Sequence, residues 1–338
     1  MSKLRIGIIG SGMIAAVVTN AIKSSNNAEV VAVASRTPAN ARAFAAEHDI
    51  STVFDTWQQL ISSDMADAIY IATPTSAREE IALGAAQAKK HILAEKPFAS
   101  YESLQRITQA AKDNGVAFMD ATHFAHHPRT QQIQQTQAEQ IGESQAVRST
   151  FFFPLMERDN IRFDTDKEPT GAVGDMAWYC MRAITEFLQP NMDLCNVGGS
   201  IVRDEETNAV IRGTGVMAFQ DGKTSTFDFG YNAGVCLMDL DILAERGMFR
   251  MDDFVLDWQQ GFAFNDPEHK VGYTQRSEMQ TPAQFEFIEA PSERAQEVQM
   301  VNAFTLLSQN PAGDQAQASM LISEQTQYLL DMYWNKVS

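Results

Sequence analysis

Short apolar runs alternate with amphipathic stretches through the first third of the chain. Leu4–Ile9, Val30–Ala34, Ala68–Ala72, His91–Ala94 and Ala117–Asp120 read as strands, and Met13–Lys23, Pro38–His48, Thr56–Ser62, Ser76–Ala88 and Tyr101–Asn114 between them read as helices. Strand-helix alternation is the pattern of βαβ units and predicts a parallel sheet. Near residue 121 the rhythm changes. Longer strand candidates follow one another at Ser144–Phe153, Asn196–Val202, Ala209–Phe219, Lys223–Tyr231, Val235–Ala244 and Gly247–Met251. Turn signals such as Asp221-Gly222 and Arg246-Gly247 separate them, which predicts a mostly antiparallel sheet. One helix, Gly174–Phe187, falls inside this half, with two more at Arg294–Ser308 and Gln315–Trp334. A glutamine-rich helix face over Thr130–Gln140 reads as solvated surface.

Composition narrows the partners. With 338 residues and 44% hydrophobic content the chain can bury a sizeable core, and two domains are expected. A formal charge of -17 argues against nucleic acid or an anionic membrane, because an acidic surface repels phosphate. Small molecules or other proteins remain. Cys180, Cys195 and Cys236 are too few and scattered for a disulfide framework or a paired-ligand zinc site, and no metal is expected. The opening residues lack a signal-peptide pattern and no apolar run approaches the roughly 20 residues of a membrane helix, so a cytoplasmic protein is expected.

Candidate chemistry gathers where the strands end. Gly10-Ser11-Gly12-Met13-Ile14-Ala15 is a G-x-G-x-x-A between the first strand and the first helix. Gly10 permits a tight turn, Gly12 lets backbone approach a pyrophosphate, and Ala15 allows close helix packing, so the motif predicts a Rossmann dinucleotide site. The second strand ends in Ser35-Arg36-Thr37, where an NAD-binding chain usually carries a carboxylate. A guanidinium and two hydroxyls suit a 2′-phosphate, so NADP is favoured, with NAD possible. The third strand ends in Thr73-Pro74-Thr75 and the fourth in Glu95-Lys96-Pro97, both at the edge where ligands sit in such sheets. An ammonium there can hold ribose and substrate oxygens and stabilise developing negative charge.

These motifs, above all Glu95-Lys96-Pro97, followed by a mixed second domain, make the chain similar to the Gfo/Idh/MocA oxidoreductases over essentially its whole length. Phe118–Thr130 and Gly171–Ile184 resemble a branch near dimeric dihydrodiol dehydrogenase, NADP-dependent D-xylose dehydrogenase and glucose-fructose oxidoreductase. The resemblance implies a Rossmann NADP-binding domain at residues 1–122 and an α+β domain at 123–338 with an open, mostly antiparallel sheet for substrate binding and oligomerisation. It also implies that Lys96 is catalytic, often with a cis peptide before Pro97. A second signature, Gly174–Tyr179, brings in Asp175 and Tyr179, which lie four apart and share a helix face. Many members have histidine at position 179; tyrosine points to the branch named above. Tyr179 would exchange the substrate hydroxyl proton and Asp175 would orient substrate or lysine.

Other residues carry alternatives. His123, His126 and His127 with Pro128 beyond fit one helix face better than a metal site; His123 and His127 are candidate substrate contacts, and His126 packs or joins them. Arg129 pairs with an acid or touches substrate. Trp178 faces the core or forms a wall for a sugar ring. The charged stretch Leu155–Thr170 is expected to cover the site. The function expected is hydride transfer to or from a sugar, polyol or related cyclic hydroxyl or carbonyl compound, in a homodimer or homotetramer assembled through the open sheet. The alternative is a cofactor-binding regulator without turnover.

Overall fold

The computed structural model describes residues 2–155 and 157–338; Met1 and Met156, the latter within the expected covering stretch, lie outside them. The chain forms two compact units, residues 1–123 with 297–324, and residues 124–296 with 325–338. A single cut after residue 122 does not contain this return of the chain to the first unit.

The first unit alternates β1 (Leu4–Ile9), α1 (Met13–Ser24), β2 (Ala28–Ala34), α2 (Pro38–Glu47), β3 (Val53–Phe54), α3 (Trp57–Ser62), β4 (Ala68–Ile71), α4 (Thr75–Gln87), β5 (His91–Ala94), α5 (Tyr101–Asn114) and β6 (Phe118–Asp120). The strands form a parallel sheet ordered β3-β2-β1-β4-β5-β6. Ala68, Ile69, Tyr70 and Ile71 of β4 and Ile92, Leu93 and Ala94 of β5 have no exposed surface. Their unbroken apolar runs follow from a parallel sheet covered on both faces. The order reverses at β1, so the carboxyl ends of β1 and its neighbours β2 and β4 flank the crevice where such sheets bind ligands. β3 was not anticipated, since two residues leave no readable alternation.

The second unit begins with α6 (Pro128–Gln140) and β7 (Ser144–Phe152), and then carries a helical rod whose α-helical centre, α7 (Trp178–Ala183), is flanked by π-helical turns at Val173–Ala177 and Ile184–Leu188. There follow β8 (Leu194–Arg203), β9 (Val210–Phe219), β10 (Thr224–Gly230), β11 (Leu240–Ala244), β12 (Gly247–Met251), β13 (Gly272–Ser277) and β14 (Glu286–Glu289). The chain then forms α8 (Gln296–Gln309) and α9 (Asp314–Val337). These strands form one sheet ordered β14-β13-β12-β11-β7-β10-β9-β8, antiparallel except for β7 against β10. β13 and β14 escaped prediction because neither shows apolar alternation. Residues 235–239, expected to belong to β11, contribute only the isolated bridges of Leu237 and Met238.

Val147 and Phe151 of β7, Met217 of β9, and Phe227 and Phe229 of β10 are buried together with Trp178, Cys180 and Met181. Tyr333 of α9 lies edge-on to Phe227 at 5.0 Å and donates its hydroxyl to the Ser200 and Thr214 carbonyls. The glutamines of α6 are not only solvated: Gln134 donates to Glu186, and Gln137 donates to Ser144 and to the Phe187 carbonyl.

Candidate active site

The site is built first from the turn between β1 and α1. Gly10 has φ +129°, and a Cβ there would lie 2.3 Å from the Ala72 carbonyl oxygen, so only glycine lets β1 turn this close to the end of β4. A Cβ on Gly12 would meet no atom within 4 Å. Nothing among the described residues demands glycine there for packing; the open space is what an approaching pyrophosphate needs. The first turn of α1 has no side-chain cap and no acidic residue, so its amide N–H groups and the helix dipole suit an anion. Met13 is exposed and Ile14 half-buried beside this opening.

At the end of β2 the hydroxyls of Ser11 and Ser35 lie 3.0 Å apart, joining the two turns. Arg36 and Thr37 are exposed, and the Arg36 guanidinium makes no ion pair or hydrogen bond with the described residues. Thr37 begins α2 without using its side chain as a cap. Two hydroxyls and an unengaged cation fit a 2′-phosphate, and no carboxylate stands in this segment to repel it.

The third component lies beyond β4 and β5. The Thr73 hydroxyl is buried with no hydrogen-bond partner among the described residues, an orphan that a bound ligand would satisfy. Pro74 precedes α4, and Thr75 is buried. Lys96 is half-buried and the Lys96–Pro97 peptide is cis. Glu95 is buried, and its carboxylate accepts the Tyr70 hydroxyl at 2.7 Å. Burial raises the Glu95 pKa, while the Tyr70 hydrogen bond and the charges of Lys96 and Arg78 work in the opposite direction without cancelling it. Arg78 was not anticipated: 3% exposed, it donates to the carbonyls of Thr73 (2.6 Å) and Pro97 and to the Thr75 hydroxyl (3.3 Å).

In the second unit Asp175 and Tyr179 stand on the same helical rod. The Asp175 carboxylate receives both Nε and Nη2 of Arg162, the latter at 2.8 Å, and the Tyr231 hydroxyl at 3.1 Å. Burial opposes the Arg162 charge, yet Asp175 and Tyr231 hold its pKa above the ordinary arginine value. Burial and the Asp175 charge push the Tyr231 phenol well up, so it remains a neutral donor. Asp175 is thus engaged by an arginine from the Leu155–Thr170 stretch, a pairing that sequence spacing does not reveal. Tyr179 is 7% exposed, edge-on to Phe151 at 5.3 Å and tilted against Phe124 at 6.1 Å.

Three expectations are corrected. Trp178 has no exposed surface and is a core side chain, because successive helix residues point about 100° apart and Tyr179 faces elsewhere. The histidines do not share one α-helix face: His123–His126 is a 3-10 turn, and α6 starts at Pro128. His127 is 1% exposed and serves as the cap of α6, its Nδ1 accepting the Arg129 backbone N–H at 2.9 Å, which leaves no surface for substrate. Burial and the Arg129 charge pull its pKa down to about 3. His123 is 3% exposed. Arg129 pairs with Asp253, both buried. Among the described residues no group of three or more His, Cys, Asp or Glu could hold a metal ion.

Family models match both halves of the chain: the oxidoreductase family with NAD-binding Rossmann fold over residues 4–122, and the GFO/IDH/MocA C-terminal domain over residues 131–250. The chain belongs to the GFO/IDH/MocA oxidoreductase family. Its relatives include a D-xylose 1-dehydrogenase (NADP(+)) of Haloferax volcanii, 30% identical over 233 residues, 68% of this chain and 70% of that protein. Another is a dTDP-3,4-didehydro-2,6-dideoxy-alpha-D-glucose 3-reductase of Actinomadura kijaniata, 29% identical over 67% of this chain and 68% of the relative. The crystal structure of KijD10, a 3-ketoreductase from Actinomadura kijaniata in complex with NADP and TDP-benzene, superposes with a TM-score of 0.86 over 99% of this chain and 98% of the other at 23% identity, so the fold is shared throughout. In this GFO/IDH/MocA chain the NAD-binding Rossmann match covers β1 to β6, the strands whose ends carry the turns described above.

Proposed function

We propose that this protein is an NADP-dependent dehydrogenase or reductase acting on the CH–OH or carbonyl group of a sugar, polyol or related cyclic compound. The observation that carries this reading is the kinship over two thirds of the chain with a D-xylose dehydrogenase that uses NADP. The unengaged Arg36 guanidinium beside Ser35 and Thr37 supports the choice of NADP over NAD. In this reading the first unit takes the cofactor and the second takes the substrate.

Gly10, Ser11, Gly12, Met13 and Ile14 receive the pyrophosphate, Ser35, Arg36 and Thr37 the adenosine 2′-phosphate, and Thr73, Pro74, Thr75, Glu95 and Lys96 the nicotinamide half. NADP, when bound, supplies the hydride acceptor or, reduced, the donor. Lys96 stabilises charge on the substrate oxygen through its ammonium, and Tyr179 moves the proton at its phenolic oxygen. Asp175, engaged by Arg162 and Tyr231, keeps the helix and its neighbouring loop in place for substrate orientation rather than moving a proton.

The protein works in the cytoplasm, and no helix among the described residues is long and apolar enough to cross a membrane. It assembles as a homodimer or homotetramer through the open sheet. The test is a panel of aldoses (D-xylose first), polyols and dihydrodiols, followed by the absorbance of reduced NADP. Turnover of at least one member is expected; tight NADPH binding with no turnover across the panel would favour a cofactor-binding regulator.

A further inference from the structure

Arg78 occupies a place where an arginine is physically expensive. It sits in the first turn of α4, where the helix dipole disfavours a cation, and it is 3% exposed, so its charge is also largely stripped of water. A cation is retained there only if its acceptors are specific. Nη2 donates to the Thr73 carbonyl at 2.6 Å, and Nη1 donates to the Pro97 carbonyl and, at 3.3 Å, to the Thr75 hydroxyl. The Glu95 carboxylate feels its charge.

The two carbonyls belong to different loops. Thr73 follows β4 and Pro97 follows β5, and these strands are adjacent and parallel, with Ile71 opposite Ala94. The guanidinium therefore ties together the two turns that carry the candidate nicotinamide-side residues. Lys96 is held from both directions: before it, Glu95 is bound by Tyr70 at 2.7 Å; after it, Pro97 is bound by Arg78. A planar fork with donors in fixed directions can span two main-chain acceptors, whereas a lysine offers a single point of charge.

We propose that Arg78 is a positioning residue: by bridging the Thr73 and Pro97 carbonyls it fixes the main chain on which Lys96 is presented to the reacting centre. The inference rests on the reading of Lys96 as catalytic, but part of its test does not.

The test uses Arg78→Gln and Arg78→Lys in the full chain. Lysines are reductively dimethylated with a 13C label, which keeps their charge, and the Lys96 methyl signal is assigned by its disappearance in Lys96→Met. NADPH is the cofactor probe and D-xylose the substrate probe. Both variants are expected to melt cooperatively and to bind NADPH nearly as well as the parent. In Arg78→Gln the Lys96 signal moves to the position of the exposed lysines while the others stay, and kcat falls about 10²-fold with KM little changed, the scale expected for small misplacement of a catalytic group. Arg78→Lys, which keeps the charge and loses the fork, falls between.

A Lys96 signal unmoved in both variants would overturn the proposal whatever happens to turnover. So would a rise in KM with kcat intact, or loss of cooperative melting in both variants, which would make Arg78 a core charge only. If the parent turns over no member of the panel, or Lys96→Met keeps full activity, the proposed function is what fails; the methyl signal still reports on Arg78.

Discussion

Arg36 and Lys96 are exposed or half-exposed cations beyond the carboxyl ends of β2 and β5, and each has a separable consequence. If Arg36 with Ser35 and Thr37 holds a 2′-phosphate, the parent binds NADP more tightly than NAD. Arg36→Ala should then remove most of that preference, at about 1.5–3 kcal/mol for a charge-assisted contact. Calorimetry with both cofactors checks it, and equal affinities in the parent would sink the idea. Lys96→Met and Tyr179→Phe should each lower turnover by roughly 10²-fold to 10⁴-fold while cofactor binding persists. The double variant should be little worse than either, because members of a cooperating set are not additive; full additivity in steady-state kinetics would separate their roles. At this scale the legible residues were those inside short contiguous motifs, such as Gly10–Ala15 and Glu95–Pro97. Arg78 and Arg162 were not legible. Each is a lone arginine whose partners are fixed by backbone placement, 13 residues away in the case of Arg162 and Asp175, and a single sequence carries no trace of that.

At the scale of elements, α6 shows how a residue read as a ligand can belong to a helix start. His127 Nδ1 accepts an N–H of the first turn, so the imidazole must stay neutral on that nitrogen, and burial and Arg129 hold its pKa down at about 3. The unfolded chain takes up this proton below about pH 6.5, and the folded chain only near pH 3. Stability from this group is therefore full above pH 6.5 and is lost as pH falls toward 3. Asparagine also caps helices, so His127→Asn should keep α6 yet flatten this part of the pH dependence, by up to about 1.4 kcal/mol per pH unit for one proton. Denaturant melts of both proteins between those pH limits decide it; parallel slopes would show that the proton is shared by other groups. Strands with strong apolar content, such as β1 and β5, were legible to the residue. β13 and β14 were not: GYTQRS is mostly polar, and EFIE forms the mostly exposed edge strand, so neither carries a readable apolar pattern.

For the whole molecule, the outward positions of the second sheet bear on assembly. Arg148, Thr214, Thr224, Thr226 and Asp228 are exposed on neighbouring strands. Self-association through this face would join hydroxyls and opposite charges more than greasy side chains, so it should weaken with salt. Light scattering at micromolar concentration should give a dimer or tetramer, with some dissociation at high ionic strength; a monomer at low salt would contradict the assembly. A different kind of constraint follows from the turn after β1. Gly10 is held at positive φ with its missing Cβ aimed at the Ala72 carbonyl. In evolutionary terms that position is a dead end: any amino-acid replacement there must coincide with a shift of the chain after β4, so descent can rewrite the surfaces around this turn far more readily than the turn itself.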